Sequence, residues 1–180
     1  ERSKTELFEM VADIVSCTES DTVLVATKGE SVVSNKTVPQ DLSPCSQDDA
    51  DTRVFLHVMQ MAKQYKRVMI FTVDTDLVVI GLSVFSKLDI EELWIQLGTG
   101  KNRRWIPIHA YASQLGEDVC KALLFWYAFS GCDTTSQLSG RGKKSAWKAW
   151  TALPQLTNVF KRLSNLVAVS YTHLTLPTRK

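Results

Sequence analysis

Two aspartates, Asp74 and Asp76, interrupt the apolar run FTVDTDLVVIGL at residues 71–82. Side chains of an extended strand alternate between its two faces, so these carboxylates point the same way and lie a few ångströms apart. Two like charges at that separation resist burial unless something neutralises them. The two residues are therefore either solvated turn residues after a strand that ends at Val73, or ligands for a cation.

Further aspartates stand at the ends of other expected elements. Asp48, Asp49 and Asp51 open a helix, and Asp133 directly follows a buried helix. Magnesium and manganese prefer oxygen ligands, and two such ions need several carboxylates between them. A pair of ions can activate a water and stabilise the leaving oxygen in phosphodiester hydrolysis, with no cysteine or histidine required. The open alternative is that the acids complement a helix dipole, end a strand or cap a helix.

The elements that would position these acids follow a helix-then-strand order. One apolar stripe at helical spacing covers residues 52–65. Its members are Val54, Val58, Met61, Ala62 and Tyr65. The next segment, RVMIFTV, is a continuous apolar run typical of a strand buried on both faces of a parallel sheet. This order predicts an α/β fold, in which sites form beyond the carboxyl ends of the strands, where Asp74 would lie.

Two hairpins and several helices complete the prediction. Residues 7–15 show helical spacing, and the segment that follows predicts a hairpin with a turn at Lys28-Gly29-Glu30. A second hairpin, ELWIQLGTGKNRRWIPIH, has a glycine-rich basic turn, and Trp94 and Trp105 are its expected cross-strand partners. The helix EDVCKALLFWYAFSG is apolar nearly all round, which predicts a buried helix that ends at a glycine C-cap, Gly131.

Composition limits the class of protein. The chain has 180 residues, 44% of them apolar, and a net charge of +2, which predicts one core and argues neither for nor against nucleic acid. Four cysteines without CxxC pairing favour a reducing intracellular compartment over a zinc site or a disulfide framework. No apolar stretch is long enough to span a membrane, and no signal peptide opens the chain. A start at Glu1, without methionine, predicts a fragment.

The segment VSYTHLTLPT, which begins at residue 169, lacks the apolar periodicity and the caps of the preceding helices. It resembles a translated transposase-type sequencing adaptor, so we interpret residues 169–180 as an artefact and exclude them from the fold prediction. The alternative is an ordinary threonine-rich strand. The remaining histidines, His57 and His109, are interpreted as structural, and Trp147 and Trp150 as core residues.

Four segments in order, DDADTR, VDTDLVVIG, SGCDTTS and GRGKKSAWKA, resemble the catalytic core of the flap endonuclease and XPG-like group of the PIN-like nuclease superfamily. The resemblance covers residues 45–150. It implies a PIN-like (Rossmann-like) α/β core at residues 1–150, with a mainly parallel sheet flanked by helices. A helix-hairpin-helix would occupy residues 134–150 of that core, and a helical extension would follow at residues 151–168. The acids that match the family's metal ligands are Asp49, Asp51, Asp74, Asp76 and Asp133.

The residues of the implied helix-hairpin-helix are also suited on physical grounds to bind phosphate. Gly140 and Gly142 would let backbone amides approach a phosphate, and Arg141, Lys143 and Lys144 would add positive charge. In the family such a hairpin grips the backbone of duplex DNA, often with a monovalent cation. The family usually has glutamate where Asp49 stands, and it takes further acids from a first strand that has no match before Asp48. The basic turn around Lys101 has no counterpart in the family.

Together with the acids, the resemblance therefore implies a metal-dependent, structure-directed nuclease that uses two magnesium or manganese ions. Its partner would be nucleic acid, with DNA favoured over RNA, and neither a membrane nor a small-molecule substrate is expected. A DNA substrate would suggest a nuclear location. The main alternative is a catalytically inactive, nuclease-derived module that binds nucleic acid through its basic hairpin. A third is an interaction domain in which all of the acids are surface features.

Overall fold

The structure is a computed structural model that describes residues 2–37, 50–132 and 142–170. The described helices and strands are α1 (Arg2–Cys17), β1 (Val25–Lys28), β2 (Ser31–Ser34), α2 (Ala50–Met61), β3 (Arg67–Thr72), α3 (Asp76–Val84), β4 (Glu92–Leu97), β5 (Arg104–Pro107), α4 (Ile108–Leu115), α5 (Glu117–Phe129), α6 (Lys143–Ala152) and α7 (Leu156–Ser170). The chain forms two compact units, Glu1–Gln60 and Met61–Lys180. Within the described ranges, no helix combines the length and the apolar character that crossing a membrane requires.

The first unit contains the predicted N-terminal helix and hairpin. β1 and β2 pair antiparallel, with Lys28 opposite Ser31. Gly29, in the turn, has a φ of +58°, which a residue without a Cβ adopts readily. The side chain of Asn35 closes the hairpin, because its Oδ1 accepts a hydrogen bond from the Leu24 amide at 2.8 Å. The predicted hairpin is confirmed.

The second helix, α2, is shorter than the predicted helix of residues 52–65, and its buried face differs. It ends at Met61, whose carbonyl accepts hydrogen bonds from the amides of Gln64 and Tyr65 in a closing turn. Its buried residues are Thr52, Phe55 and Val58. Of the predicted stripe, Val58 and Ala62 are buried, whereas Met61 and Tyr65 are exposed, so the prediction is confirmed only in part. Phe55, which the stripe omits, is fully buried.

His57 has the structural role expected from the sequence. It lies on α2, and its Nε2 atom is 3.2 Å from the hydroxyl of Thr27 on β1. Burial lowers the pKa of His57, and the positive charge of Arg53 lowers it further. Both effects favour the neutral imidazole, which packs against the hairpin.

The second unit is built on a three-stranded sheet with the order β3-β4-β5. β3 and β4 are parallel, with Thr72 opposite Leu97. β4 and β5 form the predicted antiparallel hairpin, with Leu97 opposite Arg104. The α/β class is confirmed, and the described sheet is mixed, with one parallel and one antiparallel pair.

The strand β3 is buried on one face only. Val68 and Ile70 are buried, whereas Met69 and Phe71 are exposed. The prediction of a strand covered on both faces is therefore wrong. A continuous apolar run still alternates its side chains, and here only one of the two faces is packed within the unit.

The two tryptophans of the second hairpin do not face each other. Trp94 lies opposite Pro107, and Trp105 lies opposite Gln96, so the predicted pair is wrong by two residues of register. Trp94 instead packs edge-on against His109, with ring centroids 5.2 Å apart. His109 therefore has the structural role expected from the sequence.

The helices of the second unit share an aromatic core. α5 packs against both α3 and α7. The central buried residues are Ala122, Leu123, Trp126 and Trp150. Trp147 packs beside them, 5.3 Å from Trp126 and 5.2 Å from Trp150 between ring centroids, which confirms the core interpretation. Gly131 ends α5 with a φ of +95°, as predicted, but Phe129 is exposed and the helix is not buried all round.

Candidate metal and nucleic-acid site

The segment Asp74-Thr75-Asp76 connects the carboxyl end of β3 to the start of α3. The Asp74 amide donates to the Thr72 hydroxyl at 3.0 Å, and Oδ1 of Asp74 accepts a hydrogen bond from the Asp76 amide at 2.9 Å. The second contact is an Asx-type turn, which reverses the chain from strand into helix. Asp76 is the first residue of α3, where its charge complements the helix dipole. Both residues therefore lie in a turn after a strand that ends at Thr72, and the cation hypothesis stays a prediction.

Tyr127, on α5, contacts the start of α3. Its hydroxyl donates to Oδ1 of Asp76 at 2.7 Å and lies 3.1 Å from the hydroxyl of Thr75. Burial raises the pKa of Tyr127 to about 12, and the hydrogen bond to Asp76 raises it as well. The phenol therefore keeps its proton well above neutral pH and holds the Asp76 carboxylate in one orientation.

Lys143 brings a positive charge to the same place. Its Nζ lies 3.8 Å from the centroid of the Tyr127 ring, a cation–π contact, and donates a hydrogen bond to the Gly131 carbonyl. Lys143 is the first residue of α6 and follows the N-cap Gly142. Tyr127 therefore contacts both Asp76, predicted to bind metal, and Lys143, predicted to bind nucleic acid.

The basic loop, residues 98–104, lies at the same end of the sheet as these acids. Thr72 ends β3 and is opposite Leu97, which ends β4, and the Gly98 amide donates to the Thr72 carbonyl at 2.9 Å. Parallel strands present their carboxyl ends at one edge of a sheet, so the loop after β4 and the turn after β3 are neighbours. The exposed cations of the loop are Lys101, Arg103 and Arg104.

Cations at the two ends of the sheet differ in their partners. At the amino end, Lys66 pairs with Asp89 at 2.8 Å and Arg67 pairs with Glu92 at 3.2 Å. At the carboxyl end, no described acidic side chain forms an ion pair with the cations of the basic loop. The positive charge beside the acid turn therefore remains available to an anionic ligand.

The structure locates some of the predicted site residues. Tyr127 contacts both Asp76 and Lys143, and Asp74 accepts a hydrogen bond from the Asp76 amide. Lys144 is exposed in the first turn of α6. Asp51 lies in the first turn of α2, in the first unit. The predicted residues that lie outside the described ranges are Asp49, Asp133, Gly140 and Arg141.

The acid turn suits a hard divalent cation in the type of donor it offers. Oδ1 of Asp74 and Oδ1 of Asp76 accept protein hydrogen bonds, and no described residue donates to either Oδ2. Carboxylate oxygens are the ligands that magnesium and manganese prefer. Within the described ranges, no three aspartate, glutamate, histidine or cysteine side chains form a metal-binding group. A two-ion centre therefore needs further carboxylates beyond this pair.

Sequence reasoning missed Tyr127. The residue lies in an apolar helix, 51 residues after Asp76, so its position there predicts only a core side chain. It also left the basic loop without a role, because only the parallel pairing of β3 with β4 brings that loop to the acid turn.

No family model, no curated protein and no solved structure matches the chain. The resemblance to the flap endonuclease group therefore stays a prediction, and the function has to be argued from the site.

Proposed function

We propose that this protein is a metal-dependent, structure-directed nuclease that hydrolyses phosphodiester bonds of nucleic acid, with DNA favoured over RNA. One observation carries the proposal: the acid turn shares one end of the sheet with the basic loop, whose cations have no ion-pair partner among the described residues. Nucleic acid presents closely spaced anionic phosphates, and those phosphates are attracted by cations that have no acidic partner. Carboxylates beside such cations are suited to hold a divalent ion at a bound phosphate.

The proposed ligands of two magnesium or manganese ions are Asp49, Asp51, Asp74, Asp76 and Asp133. When bound, such ions activate a water for attack on phosphorus and stabilise the leaving oxygen. Tyr127 fixes one oxygen of Asp76 by a 2.7 Å hydrogen bond and leaves the other for the ion. Lys143 and the basic loop attract the phosphates.

The proposal includes a PIN-like core and a helix-hairpin-helix at residues 134–150. The parallel pair β3 and β4, with acids directly after β3, supports the core. A helix that begins at Lys143 after Gly142 supports the hairpin. Its proposed backbone contacts are Gly140, Arg141, Gly142, Lys143 and Lys144, with a monovalent cation at the hairpin. A nuclear, intracellular location follows if the substrate is DNA.

A second candidate function is a catalytically inactive module that binds nucleic acid. The observation that favours it is that both acids already have structural partners. Asp74 accepts the Asp76 amide, and Asp76 accepts the Tyr127 hydroxyl, so the turn is satisfied by protein groups. Under this alternative the basic loop and α6 still bind phosphates, and no metal is needed.

Calorimetric titration with manganese separates the two candidates. Asp74→Asn removes one charge but keeps an amide oxygen that accepts the Asp76 amide, so the turn is preserved. We expect the wild type to bind manganese, and Asp74→Asn and Asp133→Asn each to abolish that binding. Glu91→Gln is the matched control, because Glu91 is an exposed acid at the opposite end of the sheet.

A cleavage assay completes the test. We expect the wild type to cut a labelled branched DNA in manganese and to lose that activity on Asp74→Asn, while Glu91→Gln cuts normally. A folded wild type that binds no manganese and cuts no nucleic acid would refute the nuclease proposal and favour the inactive module.

A further inference from the structure

One face of the three-stranded sheet exposes large apolar side chains. Met69 is 47% exposed, Phe71 65% and Trp105 49%, and Val73, directly after β3, is 74% exposed. On the opposite face the side chains of β3 and β4 are buried. A contiguous exposed apolar patch of this kind usually marks a binding surface.

Two aromatic rings lie in one row across this face. Phe71 is opposite Gln96, and Gln96 is opposite Trp105. The two rings meet edge to face, with centroids 6.3 Å apart and planes at 75°. Because the rings are not stacked on each other, flat ring surface remains for another planar group.

This aromatic row adjoins the end of the sheet that carries the basic loop. The next row along the strands consists of Thr72, Leu97 and Arg104, and beyond it lie the basic loop and the acid turn. A strand rises about 3.3 Å per residue, so only one or two residues separate the rings from the unpaired cations. Arg104 precedes Trp105 directly on β5, so its side chain points to the opposite face. Arg103 is extended and lies two residues before Trp105, so a ligand on the rings meets the basic loop at Arg103.

A polymer of planar groups joined by phosphates fits both features. We infer that this face binds single-stranded nucleic acid, with bases stacked on Phe71 and Trp105 and phosphates beside the basic loop. Exposed aromatic rings next to a basic surface are what sequence-tolerant single-strand binders use. In a duplex the bases are stacked on each other, so the rings cannot engage them. A purely apolar protein partner would leave the cations of the loop unmatched.

The inference deepens the proposed function by adding a binding surface for the substrate. It rests on the proposed function only for the cleavage that would follow binding. Phe71 precedes Asp74 by three residues, so single-stranded nucleic acid bound on the rings lies beside the acid turn. The face would therefore deliver a single-stranded segment to the proposed metal ligands. Binding to the rings and the loop itself needs no metal, so it can be measured in the absence of divalent ions.

Fluorescence anisotropy in the presence of EDTA tests the inference on the 180-residue chain. The probes are labelled oligothymidine and a duplex of the same length. We expect tighter binding of the single strand, weakened about fivefold to a hundredfold by either Phe71→Leu or Trp105→Leu. Tyr111→Leu is the matched control, because Tyr111 is an exposed aromatic residue on α4, and its affinity should stay within about twofold of the wild type.

The charge of the basic loop is tested by salt dependence. Each phosphate contact adds about −0.7 to the slope of log affinity against log salt for single strands. Arg103→Glu should therefore make the slope shallower by about 0.7 or more. Lys87→Glu makes the same charge change at another exposed position of the unit and should leave the slope unchanged.

Several outcomes would overturn the inference. One is equal affinity for the duplex and the single strand, and another is an affinity for the single strand that neither aromatic substitution changes. A third is self-association of the wild type that Phe71→Leu removes. Photocrosslinking of halogenated oligothymidine to the wild type gives a readout without any variant, and adducts at Phe71 or Trp105 are expected. Absence of binding in EDTA refutes this inference alone, whereas loss of manganese binding or cleavage with intact single-strand binding refutes only the nuclease.

Discussion

Replacing Tyr127 with phenylalanine removes one hydroxyl and leaves the ring and its cation–π contact with Lys143 in place. The lost hydrogen bond, 2.7 Å to Oδ1 of Asp76, has a charged acceptor. Such bonds contribute about 1.5–3 kcal/mol when buried. Because this site is only partly buried, we expect Tyr127→Phe to lower the free energy of unfolding at neutral pH by about 1–2 kcal/mol.

The pH dependence of this loss follows from the raised pKa. The folded protein keeps the Tyr127 proton over a pH range in which the unfolded chain has released it. The stabilisation is therefore complete below the ordinary pKa of 10.0 and is lost as the pH rises through about 12. The full shift corresponds to roughly 3 kcal/mol. Solvent screening at a partly exposed ring reduces that to about 1 kcal/mol.

Urea unfolding followed by circular dichroism, repeated between neutral pH and the alkaline limit, measures this difference. Tyr111→Phe is the matched control, because Tyr111 is exposed on α4, and the unfolding free energy of that variant should follow the wild type at every pH. If Tyr127→Phe is as stable as the wild type at neutral pH, the hydrogen bond to Asp76 does not stabilise the fold as described. If the difference between them is constant up to the alkaline limit, the pKa of Tyr127 is not raised.

Three further predictions concern other parts of the fold. Phe55→Ala removes a fully buried ring and should cost about 3–5 kcal/mol, whereas Phe8→Ala at an exposed position should cost less than about 0.5 kcal/mol, as read by urea unfolding. Gly98→Ala should destabilise the basic loop by about 1–2 kcal/mol, because its φ is +83° and a Cβ would lie 3.0 Å from the Asn102 carbonyl. Gly100→Ala, whose added Cβ would lie in open space, should lower the free energy of unfolding by less, and urea unfolding compares the two variants. The lowered pKa of His57 means that its contribution is lost as the pH falls below 6.5, and His57→Gln should flatten the acid side of a stability profile.

Local patterns were enough to predict the turns and most of the elements. The hairpin at Gly29, the hairpin of β4 and β5 and the end of α5 at Gly131 each depend on a few neighbouring residues. Such patterns involve only residues that are close in the sequence, so they can be recognised without knowledge of the tertiary structure.

Burial could not be predicted in the same way. The run that forms β3 is apolar at every position from Val68 to Phe71, and nothing in its residues tells how many faces the rest of the fold covers. The stripe assigned to α2 likewise extended to Tyr65, beyond the end of the helix at Met61, and omitted the buried Phe55. Tertiary packing determines which apolar face of each element is buried, and the sequence alone does not distinguish between those faces.

The candidate site was predictable only where it is local. Asp74 and Asp76 stand at a strand end in the sequence as they do in the structure. Tyr127 and the basic loop join them through α5 and through the parallel register of β4, which are long-range features. The acids of the candidate site could therefore be recognised from their residue type and position in the sequence. The groups that contact them could be identified only from the folded structure.

The tryptophan cluster has an optical consequence. All five tryptophans and all four tyrosines of the chain lie after residue 60, in the second unit, and three of the tryptophans are close enough to exchange excitation energy. Intrinsic tryptophan and tyrosine fluorescence and the dichroism of these rings therefore report on the second unit, and the first unit contributes only the weak bands of its phenylalanine rings. Comparing these signals with far-ultraviolet dichroism would show whether the two units melt together or one at a time.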